Sequence, residues 1–408
     1  MTGVSHPAPD DARRPARTPP VRLLIAFGII GPISIHLILP SLPQMQRQFA
    51  SDYATVQLLI SLYMIFFGGS QLLVGPLVDL VGRRKTLISG LALYTVCSAL
   101  CAVVSSLPVL IGLRMAQGIG ACVGLVLARA IIRDHYGDRQ STRMLGLLAM
   151  GIAVGPMLAP MVGGALYEMT GWRGPFLLMA ATGAIAALLA WRFIDESGEA
   201  RTGDGRLRAL FADIAVLLRG RRFVFASMNI CFQTAVFYAF VGVGPYIGDE
   251  FLRMTPKEYG AWFSLAAIGF AAGSYIAGWV ANRLDARKVV LAASLLAFVL
   301  CSALTAVLAT EARSAPMVFG ILGLTTFASA FVMANSMADA LGANPKLAGS
   351  ASGFAGFVQF SFTAATATGA SMAIEHWHRP AVLGYIMLGA AFLSVVTSTV
   401  QLLRADDR

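Results

Sequence analysis

The chain has 408 residues, 57% of them hydrophobic and only 13% charged, with a formal net charge of +10 and a mean hydropathy of +0.71. Soluble domains carry about 25% charged residues, so charge this sparse excludes a water-exposed surface of this size and leaves lipid as the main solvent. Nor does the excess of base indicate nucleic acid, because Lys and Arg fall in short segments between apolar runs rather than on one face.

Residues 1–21 are rich in Pro, Arg and Asp and lack an apolar signal-peptide core, so a disordered cytoplasmic tail is expected there. Twelve apolar runs follow, at 22–39, 55–78, 86–105, 108–132, 144–168, 175–194, 223–247, 259–281, 288–309, 316–338, 347–374 and 381–403. A helix needs roughly twenty such residues to cross a bilayer. These runs are too long for barrel strands and show no period-two alternation, so helices are expected. All five cysteines, Cys97, Cys101, Cys122, Cys231 and Cys301, fall within apolar runs. They read as small packing residues, and neither a metal site nor a cofactor is expected.

Basic residues set the orientation. With the N-terminus in the cytoplasm, 24 of the 31 Lys and Arg residues lie on that side and 6 on the other, while Arg114 sits inside a run. Both termini are therefore expected in the cytoplasm. The longest polar interruption, 195–222, divides the chain into an N-terminal six-helix bundle (22–194) and a C-terminal one (223–403), with a short tail at 404–408. A repeat supports that division. The stretch Gly75-Pro-Leu-Val-Asp79-Leu-Val-Gly82-Arg83-Arg84-Lys85 between runs two and three is echoed 203 residues later by Gly278-Trp-Val-Ala-Asn282-Arg-Leu-Asp-Ala-Arg287-Lys288. Two six-helix halves with equivalent loops are the pattern of parallel transporter repeats.

The first of these stretches resembles the helix 2–3 loop signature of the major facilitator superfamily, through Gly75, Leu77, Asp79, Gly82, Arg83, Arg84 and Lys85. In the fourth run, Arg114-Met-Ala-Gln117-Gly118-Ile-Gly120-Ala121 is similar to the family's R-x-x-Q-G-x-G-A motif. In the fifth, Gly151, Gly155, Pro156, Pro160, Gly163 and Gly164 resemble the signature of its exporters. Leu39-Pro40-Ser41-Leu42-Pro43, Arg129-Ala-Ile-Ile-Arg133-Asp134 and Ala348-Gly-Ser-Ala-Ser352-Gly353-Phe-Ala-Gly356-Phe-Val-Gln359 are similar to the bicyclomycin/chloramphenicol-resistance branch of the twelve-span drug:proton antiporters. The resemblance implies an all-α integral membrane protein of twelve helices in two pseudo-symmetric bundles, in a bacterial cytoplasmic (inner) membrane. It implies a monomeric secondary transporter, not an enzyme, exporting small amphipathic or hydrophobic drugs with the proton gradient as energy source. The alternative is an exporter of one specific metabolite.

Each motif has a physical reading. Asp79 lies at a helix end beside three cations, which suits a cytoplasmic latch between the halves; the plainer reading is that Arg83, Arg84 and Lys85 only set topology. The glycines and prolines of the fifth run suit a tight, bent seam that closes the periplasmic side. Arg114, a cation within an apolar run, is expected to face the interior and find carboxylate or carbonyl partners. Helix rise puts His36 and Arg114 at a similar depth, about 9 Å from the periplasmic surface.

His36 is a departure, because relatives with this first helix carry an acid at that position. Two readings stay open. His36 carries the proton, since histidine titrates nearest physiological pH; or coupling is altered or lost, and His36 hydrogen-bonds substrate or Arg114. Gln117, Asn229, Gln233, Tyr238 and Gln359 are candidates for lining the substrate cavity, against the equal prospect that such side chains tie helices together. Phe237, Phe240 and Phe331 read as packing or lipid-facing residues.

Overall fold

The computed structural model describes residues 19–195, 206–280, 283–311, 313–344 and 347–406. The described elements are all helical. The N-terminal half holds α1 (Val21–His36), a 3-10 turn at Leu39–Ser41, α2 (Leu42–Gln48), α3 (Tyr53–Val81), α4 (Arg83–Val103), α5 (Leu107–His135), α6 (Gly137–Thr170) and α7 (Arg173–Phe193). After α8 (Arg206–Arg219) come α9 (Arg221–Tyr246), a π-helical turn at Ile247–Phe251, α10 (Pro256–Val280), α11 (Ala286–Ala309), α12 (Ala315–Gly342), α13 (Ala348–Trp377) and α14 (Ala381–Asp406).

All but α2 and α8 are the twelve expected spans, and ten of them are long and apolar enough to cross a bilayer by length and composition. The other two are α6, which carries Pro156 and Pro160, and α13, which is rich in glycine, serine and threonine. Two short helices went unanticipated. α2 follows Pro40 and holds Pro43 in its first turn, and α8 lies in the linker, because apolar run length is blind to short amphipathic helices. Of the tail expected over 1–21, residues 1–18 lie outside the described residues, and Val21 already begins α1.

Local chemistry explains where the helices start and stop. Asp52 caps α3 by accepting from the Thr55 amide. Thr255 and Glu258 form a reciprocal capping box at the head of α10, at 2.8 and 3.2 Å. Gly82, at φ 93° and ψ 158°, breaks α3 from α4 in a region of backbone space that side chains exclude.

The halves repeat each other helix for helix. α1 packs on α5 and α6, α3 on α5, and α4 on α5 and α7; correspondingly α9 packs on α12 and α13, α10 on α12, and α11 on α12 and α14. Two crossed pairs, α3 with α13 and α6 with α10, join the halves. Both chain ends lie on one face, the terminal face, together with the α3–α4, α5–α6, α10–α11 and α12–α13 connections.

Candidate functional site

The level that helix counting picked out holds two separate polar centres. Arg114 on α5 is fully buried within the N-terminal half. Its Nε donates to Leu59 O (3.0 Å), Nη2 to Ser34 O (3.2 Å) and Nη1 to Gln117 Oε1 (2.5 Å). The guanidinium lies 4.2 Å from the Tyr63 ring centre. Gln117 in turn donates to Ser98 Oγ at 2.5 Å, and Ser34 Oγ and Tyr94 OH stand 2.7 Å apart. Carbonyl partners, rather than carboxylates, thus hold the charge. The network binds α1, α3, α4 and α5 together, and each donor it leaves unmade would cost about 1–3 kcal/mol.

His36, two residues beyond Ser34, turns the other way. Pro32 O can only accept, so the 2.9 Å contact puts the proton on Nδ1 and leaves Nε2 as the free position. Nε2 is buried and has no protein partner. Rings of the other half enclose the imidazole: Phe237 at 6.1 Å, Tyr238 at 6.0 Å and Phe263 at 6.3 Å between centres. The expected option of a bond from His36 to Arg114 is therefore not realised. Residues 34 and 36 fall on opposite sides of α1, so equal depth does not bring the two together.

Of the cavity candidates, only Tyr238 borders His36. Gln117 belongs to the Arg114 network. Asn229 ties α9 to α14, accepting from Thr397 (2.5 Å) and Ser398 (3.2 Å) and donating to Gln401 (3.2 Å). Gln233 donates to Ser329 at 2.7 Å, and Gln359 to Thr234 at 3.2 Å. Each of these contacts ties helices together, while Gln233 Oε1 is buried without a protein partner. Phe237, read from sequence as packing, and Phe263, not singled out there, form the aromatic walls. Nothing in the local sequence marks them, because they meet His36 only across the bundle interface.

The face opposite the termini is closed. Arg47 donates to both carboxylate oxygens of Asp249 (2.5 and 3.2 Å). Glu375 accepts from the amides of Tyr53 (3.0 Å) and Ala54 (3.4 Å) at the head of α3, and Lys257 pairs with Glu168 at 3.3 Å. In the α6 motif, Gly151 and Gly155 pack against Ile25 and Ile33 of α1, and Gly163 against the Leu37 carbonyl. Gly164 reaches the other half, lying on the backbone of Pro256 and Lys257, while Gly260 lies reciprocally on Pro160 and Met161. Pro156 and Pro160 both sit inside α6.

The stretch expected as a loop is helical on both sides of Gly82: Gly75, on α3, is open to space, and Lys85, on α4, is exposed. Arg84 Nη2 donates to Trp191 O (2.7 Å), fastening the loop to α7 of its own half. Arg83 and Gly82 adjoin it, whereas the Asp79 side chain and residue Asn282 lie outside the described residues.

The pattern of the Major Facilitator Superfamily matches residues 24–368. The chain belongs to this superfamily. This is a family of multi-pass membrane transporters. The chain is 30% identical over 228 residues to a chloramphenicol resistance protein of Pseudomonas aeruginosa, covering 55% of this chain and 53% of the relative. It is 34% identical over 171 residues to multidrug resistance protein D of Escherichia coli, covering 41% and 43%. The matched stretches thus span about half the length of these curated relatives. A bacterial homologue of the human lysosomal transporter Spinster, in an inward-facing and occupied conformation, superposes with a TM-score of 0.76 over 95% of this chain and 96% of that one. At 16% identity, that likeness bears on the fold alone.

Proposed function

We propose that this transporter exports small amphipathic or hydrophobic compounds, antibiotics among them, by alternating access, with the terminal face in the cytoplasm and inward proton flow as the energy source. The observation that carries the reading is His36. It is a hydrogen-bonding group of one half, held between aromatic rings of the other, with Nε2 left without a protein partner. A substrate seated there would touch both halves at once, which is what rocking of one bundle against the other requires. The drug-resistance names of the relatives support the substrate class, and the basic residues of the terminal face support its placement in the cytoplasm. The moving bodies in this reading are 22–194 and 223–403, joined by 195–222 in a monomer, and Asp79 acts as the latch of the terminal face.

A second reading has its own support. Among the described contacts, neither Arg114 nor His36 meets a carboxylate, so an exporter of one metabolite with altered or absent proton coupling is the alternative. Growth inhibition with and without expression, followed by counterflow in liposomes, tests transport itself. His36→Ala is expected to abolish uptake driven by a pH gradient and, because the substrate is seated against this side chain, to raise the substrate concentration that counterflow needs; unchanged pH-driven uptake excludes His36 as the carrier and favours the second reading.

A further inference from the structure

On the terminal face, a cavity of about 400 Å3 lies between the halves, well away from His36 in the chain's vertical order. One wall comes from α3 and α5. The other comes from α13 and from the linker helix α8, which is fixed in place rather than loosely draped. Asp213 on α8 accepts from Ser350 Oγ on α13 at 2.8 Å, and Leu217 is buried with Phe223, Ala226 and Ile230 at the foot of α9.

The lining specifies a ligand. Gln71 is 8% exposed, yet its Nε2, buried, has no partner in the protein. Leaving a buried amide donor unpaired is unfavourable, so the position calls for an acceptor from outside the chain. Arg129 and Asp213 contribute one charge of each sign, which leaves the cavity no net charge to select an ion. Leu72, Val126 and Leu210 supply apolar surface. The small residues of α13 keep the space clear: a Cβ at Gly349 would meet nothing within 4 Å, and one at Gly356 would stand 2.7 Å from Gln71 Oε1.

We propose that this cavity is a loading site, separate from the His36 site, for uncharged amphipathic molecules bearing a carbonyl-type hydrogen-bond acceptor. The acceptor meets Gln71 Nε2, and the apolar part lies along Leu72, Val126 and Leu210. The linker helix is thereby part of the binding surface. The proposal rests on the export reading, and its test is binding rather than transport, so that the two can fail independently.

The reporter is Ser352→Cys in the full-length purified protein. The native cysteines are all buried, so maleimide reports on the introduced thiol. Chloramphenicol, an uncharged amide with an apolar aryl end, is the probe and is expected to slow alkylation. Gly349→Leu fills the cavity without a backbone clash and should abolish protection; Gln71→Leu should raise the half-protecting concentration about tenfold. His36→Ala should leave protection within about twofold. Thermal midpoints within a few degrees of the parent certify that each variant is folded. Absence of protection in the parent overturns the loading site, whether or not counterflow proceeds. So does protection that survives both Gly349→Leu and Gln71→Leu, or that His36→Ala removes as fully as they do. Protection without counterflow leaves the loading site standing and removes the export reading.

Discussion

Gly164 offers the sharpest test of how the face opposite the termini closes. A methyl group there would stand 2.8 Å from Lys257 Cα and from the Pro256 carbonyl carbon, with the Pro256 oxygen nearer still. An ordinary carbon contact needs about 3.5–4.0 Å, so α6 and α10 must part by close to 1 Å. Both obstacles are backbone and cannot swing aside. Overpacking of this kind costs about 1–3 kcal/mol, and here the cost falls only on the state in which the two halves touch. Gly164→Ala should therefore shift the population toward a state open on that face by about 5–150-fold. Spin labels at Ser106 and Thr310, exposed in the α4–α5 and α11–α12 loops, report the separation by pulsed electron resonance. A longer distance should grow in. Gly389→Ala on α14, at a position with nothing within 4 Å, should change nothing and serves as the control. A distance distribution for Gly164→Ala identical to the parent, in folded protein, would refute the seam.

Other consequences can be checked with the same preparations. Arg47→Ala removes an ion pair whose arginine is 58% exposed, worth about 0.2–1 kcal/mol, so it should open that face less than Gly164→Ala does and lose its effect in high salt. A larger shift than Gly164→Ala gives would contradict that ordering. Gln117→Leu strips Arg114 Nη1 and Ser98 of a buried partner and should lower stability by about 1–3 kcal/mol, read as a depressed thermal midpoint in detergent. Asn229→Leu should lower stability by a similar amount while leaving the transport KM unchanged, because its bonds run to Thr397, Ser398 and Gln401; a changed KM would return Asn229 to the substrate path.

The fold was legible because its signals are long. Runs of some twenty apolar residues, separated by basic loops, leave little freedom in a bilayer, and α3 to α7 follow from them directly. The site was legible only along single helices. Counting residues up α1 and α5 found the level shared by His36 and Arg114, since rise per residue is fixed. It could not find which way each side chain points, and Ser34, not His36, proved to be the residue beside Arg114. The polar residues of α9 diverge for the same reason. Asn229, Gln233 and Tyr238 lie near one another in sequence, yet the first faces α14, the second α12 and the third α1. Phe263 was beyond reach altogether: its part in the aromatic enclosure depends on α10 meeting α1 across the interface of the halves.

The half-chain repeat shows where sequence identity and mechanics part. The packing of helix on helix is conserved between the halves, but the two matching loops begin their following helices in different ways. Gly82 precedes α4 with φ 93° and ψ 158° and makes no side-chain bond to the helix; Asp285, at the aligned position, precedes α11 with φ −63° and accepts from the Arg287 amide at 2.9 Å. The first loop depends on backbone freedom and the second on a side-chain cap. Exchange should therefore be unequal. Asp285→Gly loses a cap that glycine replaces tolerably, at a few tenths of a kcal/mol. Gly82→Asp forces a side chain into backbone space that glycine alone occupies, at about 1–3 kcal/mol, on the loop that carries Arg83, Arg84 and Lys85. Thermal midpoints of the two variants should differ in that order. Equal depressions would mean that the α3–α4 turn relaxes at no cost, and that the glycine of its motif is not there for its backbone.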